Sequence, residues 1–104
     1  MSIIDEFHPF NDLTVGEDER LALLLEEAGE VIQAIGKILR HGYESTHPDG
    51  GPTNRESLER ELGDMAAAIH MMTERRDLNA SFIRQCQRNK LSKVSKYLHH
   101  QEVA

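Results

Sequence analysis

Cysteine is nearly absent from this sequence: Cys86 is the only one. No intrachain disulfide and no cysteine-pair zinc site can form, and nothing points to an oxidising compartment. A buried or inert thiol is expected. Cations are also in the minority, with 12 Lys and Arg against 18 Asp and Glu and a formal net charge of −6. That is the wrong sign for a protein whose main partner is a phosphate backbone, so polymeric nucleic acid is not an expected partner. No apolar run approaches bilayer-spanning length, and "MSIIDEFHPFNDL" lacks a basic start followed by a long apolar stretch. The expectation is no membrane partner and a cytoplasmic location. Strand-type alternation is missing as well.

What remains is helical periodicity. At 104 residues the chain forms one domain, 1–104, with a core small enough to need completion by a second copy. Residues 1–15 scatter Ile3, Ile4, Phe7, Phe10 and Leu13 around Pro9, as an irregular arm or short helix lying on the body. Apolar positions then recur every three and four residues over 17–41, from the acidic "GEDE" to the basic "KILRH", which defines helix A. "GYESTHPDGGPT" concentrates Gly, Pro, Ser and Asp and makes 42–53 a loop. Helix B is predicted over 54–75, capped by Thr53 or Asn54, and helix C over 78–98, capped by Asp77 or Asn79, before the polar tail 99–104. The fold class is all-α, with three principal helices per chain.

Helix A carries glutamates where a core stripe is expected. On a wheel of about 100° per residue centred on Ala28, Leu21, Leu24, Leu25, Val31, Ile32, Ile35 and Leu39 fall within about 60°. Glu27 lies at about −100° beside Leu23, Ala34 and Ile38, and Glu30 at about −160°. Unpaired charge at the edge of apolar surface is costly. Helix B repeats the pattern: "LEEAGEVIQAI" from Leu25 laid over "ERELGDMAAAI" from Glu59 matches Glu27 to Glu61, Glu30 to Asp64, Gly29 to Gly63 and Ala34 to Ala68.

If the two helices pack as an antiparallel hairpin, both acidic pairs converge on one cleft. Four carboxylates in a partly dry site either take up protons or bind cations. An all-oxygen donor set favours Mg²⁺ or Mn²⁺ over zinc. Glu26, on the polar side of Glu30, is placed to support a metal ligand or to act as a base toward water. A lone "ExxE" is ordinarily a solvated helix face; the repeat in one angular phase, against apolar neighbours, argues otherwise.

At these residues a resemblance enters. "EEAGE" (Glu26, Glu27, Glu30) followed by "ELGD" (Glu61, Asp64) resembles the EExxE and ExxD motifs of MazG-like, all-α nucleoside triphosphate pyrophosphohydrolases, over roughly 17–98. The resemblance implies a MazG-like helical bundle, assembled as a homodimer or homotetramer. It implies cleavage of a nucleoside triphosphate between the α and β phosphates to monophosphate and pyrophosphate. Glu27, Glu30, Glu61 and Asp64 fall on the family's Mg²⁺ ligands, with Mn²⁺ as possible substitute, and the metals would lower the pKa of the attacking water. The family also carries a basic stretch with an Asn that grips phosphates on its last helix. "RNKLSKVSKYL" offers Asn89, Lys90, Lys93 and Lys96 for this, in more than one register.

The loop is longer than in compact members of the family. Phe10, Asn11, Tyr43 and Arg55 are the candidates for contact with the nucleoside, and His41 and Asn54 for base, ribose or phosphate. "ESTH" in the loop has the ExxH spacing of di-iron bundles, but Pro48 and Gly50 preclude a helix there. Two other functions compete: a phosphoribosyl-ATP pyrophosphohydrolase, and a non-catalytic helical dimerisation module.

Overall fold

The computed structural model describes Glu6 and residues 10–101. Among these there are three α-helices, α1 (Val15–His41), α2 (Asn54–Glu74) and α3 (Ala80–Lys93), and a 3-10 turn, Val94–Tyr97. Ile3, Ile4 and Phe7 of the expected arm lie outside the described residues.

The two long helices begin with the same device. Thr14 takes an extended conformation, its hydroxyl accepts from the Glu17 N–H at 3.0 Å, and its own N–H donates to the Glu17 carboxylate at 2.9 Å. Thr53 and Glu56 repeat this capping box at 3.1 Å in each direction. Each box satisfies two backbone donors that a helix start leaves open. α1 stops at Gly42, whose φ of +88° lies in the region that disfavours side chains. α3 is capped by Asn79, which accepts from the Phe82 N–H at 2.9 Å. The predicted helix C of 78–98 is shorter in fact, because Leu78 precedes the cap and the chain tightens into the 3-10 turn after Lys93.

α1 and α2 form an antiparallel hairpin tied at both ends. At the open end Arg20 makes a bidentate pair with Asp77, its Nε donating at 2.5 Å and its Nη2 at 3.0 Å. At the loop end the Asn54 amide donates to the Gly42 carbonyl at 3.1 Å, and the Asn54 and Arg55 N–H groups donate to the Ser45 and Tyr43 carbonyls at 2.9 and 2.8 Å. Val31, Ala34, Ala68 and Met72 form the buried core.

That core corrects the expected stripe. The helix-to-helix seam runs through Gly16, Val31 and Ala34 of α1, rotated toward Glu27. Leu25, Ile32 and Leu39 stand 76%, 69% and 82% exposed, and Leu21 and Ile35 are also exposed. A single partner helix can cover only one side of α1, and α2 takes the side that carries the acids. α3 packs chiefly on its own 3-10 continuation and buries none of its residues. Cys86 is accordingly exposed on it rather than buried. The radius of gyration is 17.8 Å, against about 13 Å for a compact chain of this length.

Candidate active site

The hairpin register brings the repeated acids together. Glu27, Glu30, Glu61 and Asp64 each offer one carboxylate oxygen, and these oxygens lie within 4.8 Å of one another. Glu27, Glu30 and Glu61 are half-buried, and Asp64 is exposed. Ala34 lines the same cavity as Glu30 and Glu61. Its small side chain leaves room beside Glu61, and the buried Ala68 occupies the equivalent place in the repeat.

Electrostatics mark the cluster as incomplete. One oxygen of Glu27 and one of Glu61, Oε2 in each, are shut off from solvent with no hydrogen-bond partner among the described residues. A buried acceptor without a donor costs stability. Glu61 is pushed up to about 7, first by its hydrogen bond with Glu30, then by desolvation and the charges of Glu30, Asp64 and Glu27. Glu27 is also raised, by desolvation first and then by Glu30, Asp64 and Glu26. A cluster of four acids in which Glu27 and Glu61 are raised and each holds an orphaned oxygen fits a hard divalent cation. No histidine or cysteine joins the donor set, which disfavours zinc.

The other expected residues are distributed as follows. Glu26 is exposed and stands outside the four, near enough to raise Glu27 by its charge. Tyr43 and Arg55 engage each other at the loop, with the guanidinium 4.3 Å from the ring centroid and its Nη2 2.6 Å from Glu44. Asn11 accepts from the Leu13 N–H at 3.0 Å, and Phe10 is exposed in the turn before it. Asn89, Lys90 and Lys93 lie exposed on α3, with Lys96 in the 3-10 turn. None of these nine residues lines the cavity at the carboxylates, whereas Asn54, expected at base, ribose or phosphate, does.

Lys37 does line it, together with Gln33 and Ser57, and residue typing overlooked all three. The signal was the face itself. Glu30, Ala34 and Lys37 follow one another at helical spacing, as do Asn54, Ser57, Glu61 and Asp64.

An all-α hairpin carrying a cluster of four carboxylates with the donor set for a hard cation is the class that fold and site define. A family model for the MazG nucleotide pyrophosphohydrolase domain matches residues 16–98, and the chain belongs to that family. No curated protein and no solved structure gives a significant match.

Proposed function

We propose that the protein is a Mg²⁺-dependent nucleoside triphosphate pyrophosphohydrolase that cleaves ribo- or deoxynucleoside triphosphates between the α and β phosphates and serves nucleotide pool control. The observation that carries the reading is the convergence of four carboxylate oxygens from two helices within 4.8 Å, two of the residues holding an orphaned oxygen. Glu27, Glu30, Glu61 and Asp64 would hold Mg²⁺, or Mn²⁺ in its place. When bound, the cation supplies charge neutralisation at the phosphates and a lowered pKa for the attacking water.

In the proposed reaction a water adds to one phosphorus of the α–β bridge, the bridging P–O bond breaks, and its electron pair remains on the departing phosphate oxygen. Glu26 accepts the proton that the water gives up. Asn89, Lys90, Lys93 and Lys96 bind phosphate oxygens of a substrate in a neighbouring copy's site, since α3 stands away from its own. From Leu78 to Gln101 the chain has no acidic residue, so this segment complements the acidic hairpin. The chain exposes 8553 Å², where a compact monomer of 11.8 kDa exposes about 5,900 Å². The surplus exceeds a standard protein interface and supports a homodimer or homotetramer. Phe10, Asn11, Tyr43 and Arg55 remain proposals for the nucleoside, reached only on rearrangement or across that interface.

The test is product analysis with each ribo- and deoxynucleoside triphosphate, with and without Mg²⁺ or Mn²⁺. Metal-dependent release of monophosphate and pyrophosphate in equal amounts is expected. Release of inorganic phosphate with diphosphate, or no turnover of any triphosphate, overturns the proposal.

A further inference from the structure

The cavity at the carboxylates does not end there. Glu30, Lys37, Asn54, Ser57 and Glu61 line a space of about 260 Å³. Lys37, Asn54 and Ser57 also line a second space of about 490 Å³ between the end of α1, the start of α2 and the loop. The two are contiguous through these three side chains. The second volume is within the range of small-molecule sites.

Its chemistry is one-sided. Arg40, His41 and His47 join Lys37 on its walls, Ser45, Thr46 and Ser57 add hydroxyls, and its lining contains no carboxylate and no Phe or Tyr ring. In a chain of net charge −6, a cavity lined by Lys37 and Arg40 and by no acid stands out, the Asp49 carboxylate lying 3.5 Å from His47 Nδ1 but not on the lining. The loop that forms it is held: the Gly50 N–H donates to the His47 carbonyl at 2.8 Å, and the Asp49 N–H donates to His47 Nδ1 at 3.1 Å. Both contacts of the ring use Nδ1, which leaves Nε2 as the nitrogen available to a ligand.

We infer that the loop cavity is an anion subsite that receives the diphosphate end of the substrate and then the pyrophosphate product, with Lys37 bridging it to the carboxylate site. The inference rests on the pyrophosphohydrolase reading and adds a direction to it. The substrate lies along the hairpin, with its α–β bridge at the carboxylates and its β and γ phosphates toward the loop. The nucleoside therefore leaves the site on the other side, and Tyr43 and Arg55, held at the loop, meet a nucleoside only in a neighbouring copy's site. Ligand phosphates bind bidentately to guanidinium and as point charges to lysine, and both kinds of donor are present. A 5′-monophosphate has the same chemistry as the diphosphate end, and the binding test separates the two.

The probes are inorganic pyrophosphate and a nucleoside monophosphate, titrated calorimetrically in Mg²⁺ into the protein as it assembles. The variants are Lys37→Gln and Arg40→Gln, with Arg60→Gln, on α2 outside both cavities, as the control for lost charge. The first two should each weaken pyrophosphate binding about tenfold, leave the monophosphate within about twofold, and keep the wild-type circular dichroism and mass; the control should change neither ligand. Equal pyrophosphate affinity in all three variants and wild type, an equal loss in the control, no pyrophosphate binding by the wild type, or a loss confined to the monophosphate overturns the subsite. Because binding is read without turnover, a selective loss of pyrophosphate affinity in a protein that hydrolyses no triphosphate would leave the subsite standing while the proposed reaction fell.

Discussion

Glu61 faces Glu30 across the seam between α2 and α1, and their hydrogen bond is the largest cause that lifts Glu61 to about 7. In the unfolded chain Glu61 titrates near 4.5. Between those values the folded state keeps a proton that the unfolded state has lost, so stability of the metal-free protein falls as pH rises through that window. Mg²⁺ must displace the proton, so its affinity should climb over the upper part of the same window and flatten above it. Titration calorimetry at pH 6, 7 and 8 checks this; an affinity indifferent to pH would remove the shared proton from the account.

Neutralising either central acid should trade activity for stability. Glu27→Gln and Glu61→Gln each remove a charge from a crowded cluster, so the metal-free melting temperature should rise. Triphosphate turnover should fall by at least about a hundredfold. Melting curves with and without Mg²⁺, beside steady-state rates, read both effects. A variant that keeps full turnover would show that its carboxylate holds no essential cation.

The Arg20–Asp77 pair sets the open end of the hairpin, with side chains only 15% and 12% exposed. Arg20→Ala leaves a half-dry carboxylate unpaired and should cost about 2–3 kcal/mol in denaturant unfolding. The same pair holds the Asp77 carboxyl below its usual range, chiefly through the Arg20 hydrogen bond. Its contribution is therefore complete above the unfolded value of 3.8 and is lost as pH falls through the depressed folded value. In Arg20→Ala that part of the acid sensitivity should vanish.

The exposed apolar ridge of α1 gives a test of assembly. Ile32→Glu places a charge at the middle of the ridge, 69% exposed in the single chain, where it costs a lone protomer little. Sedimentation should show a wild-type dimer or tetramer and a lighter Ile32→Glu species. Equal masses would assign the ridge to solvent.

The helices were legible because capping residues, glycines and three-four spacing act locally. Thr53 and the stretch from Gly42 announce their ends without reference to anything distant, while the Thr14 cap is not read from the spacing and helix A begins at Val15 rather than at the predicted 17. The four acids were legible for a different reason: the repeat put Glu27 and Glu61 in equivalent places, and the hairpin turned equivalence into proximity. The rest depended on which face met which. Leu25, Ile32 and Leu39 read as core because periodicity detects an apolar face and cannot say whether its partner belongs to the same chain. Of the buried or inert thiol expected at Cys86 the structure removes the first alternative, since burial depends on where α3 lies. Lys37 was passed over because a lysine in a helix signals nothing until the cavity beside it is visible.

The hairpin is fastened at its extremities, by Arg20 with Asp77 at one end and by Asn54 with Gly42 at the other, while mutual repulsion is concentrated midway between. The distance between the facing acids is thus imposed from the two ends. At the open end architecture and chemistry are lodged in separate residues, because Arg20 and Asp77 line neither the carboxylate cavity nor the loop cavity, whereas at the loop end Asn54 serves both. Substitution among the acids can change what the cluster holds without loosening the frame, and reinforcement of the Arg20–Asp77 fastening can raise durability without touching the reaction.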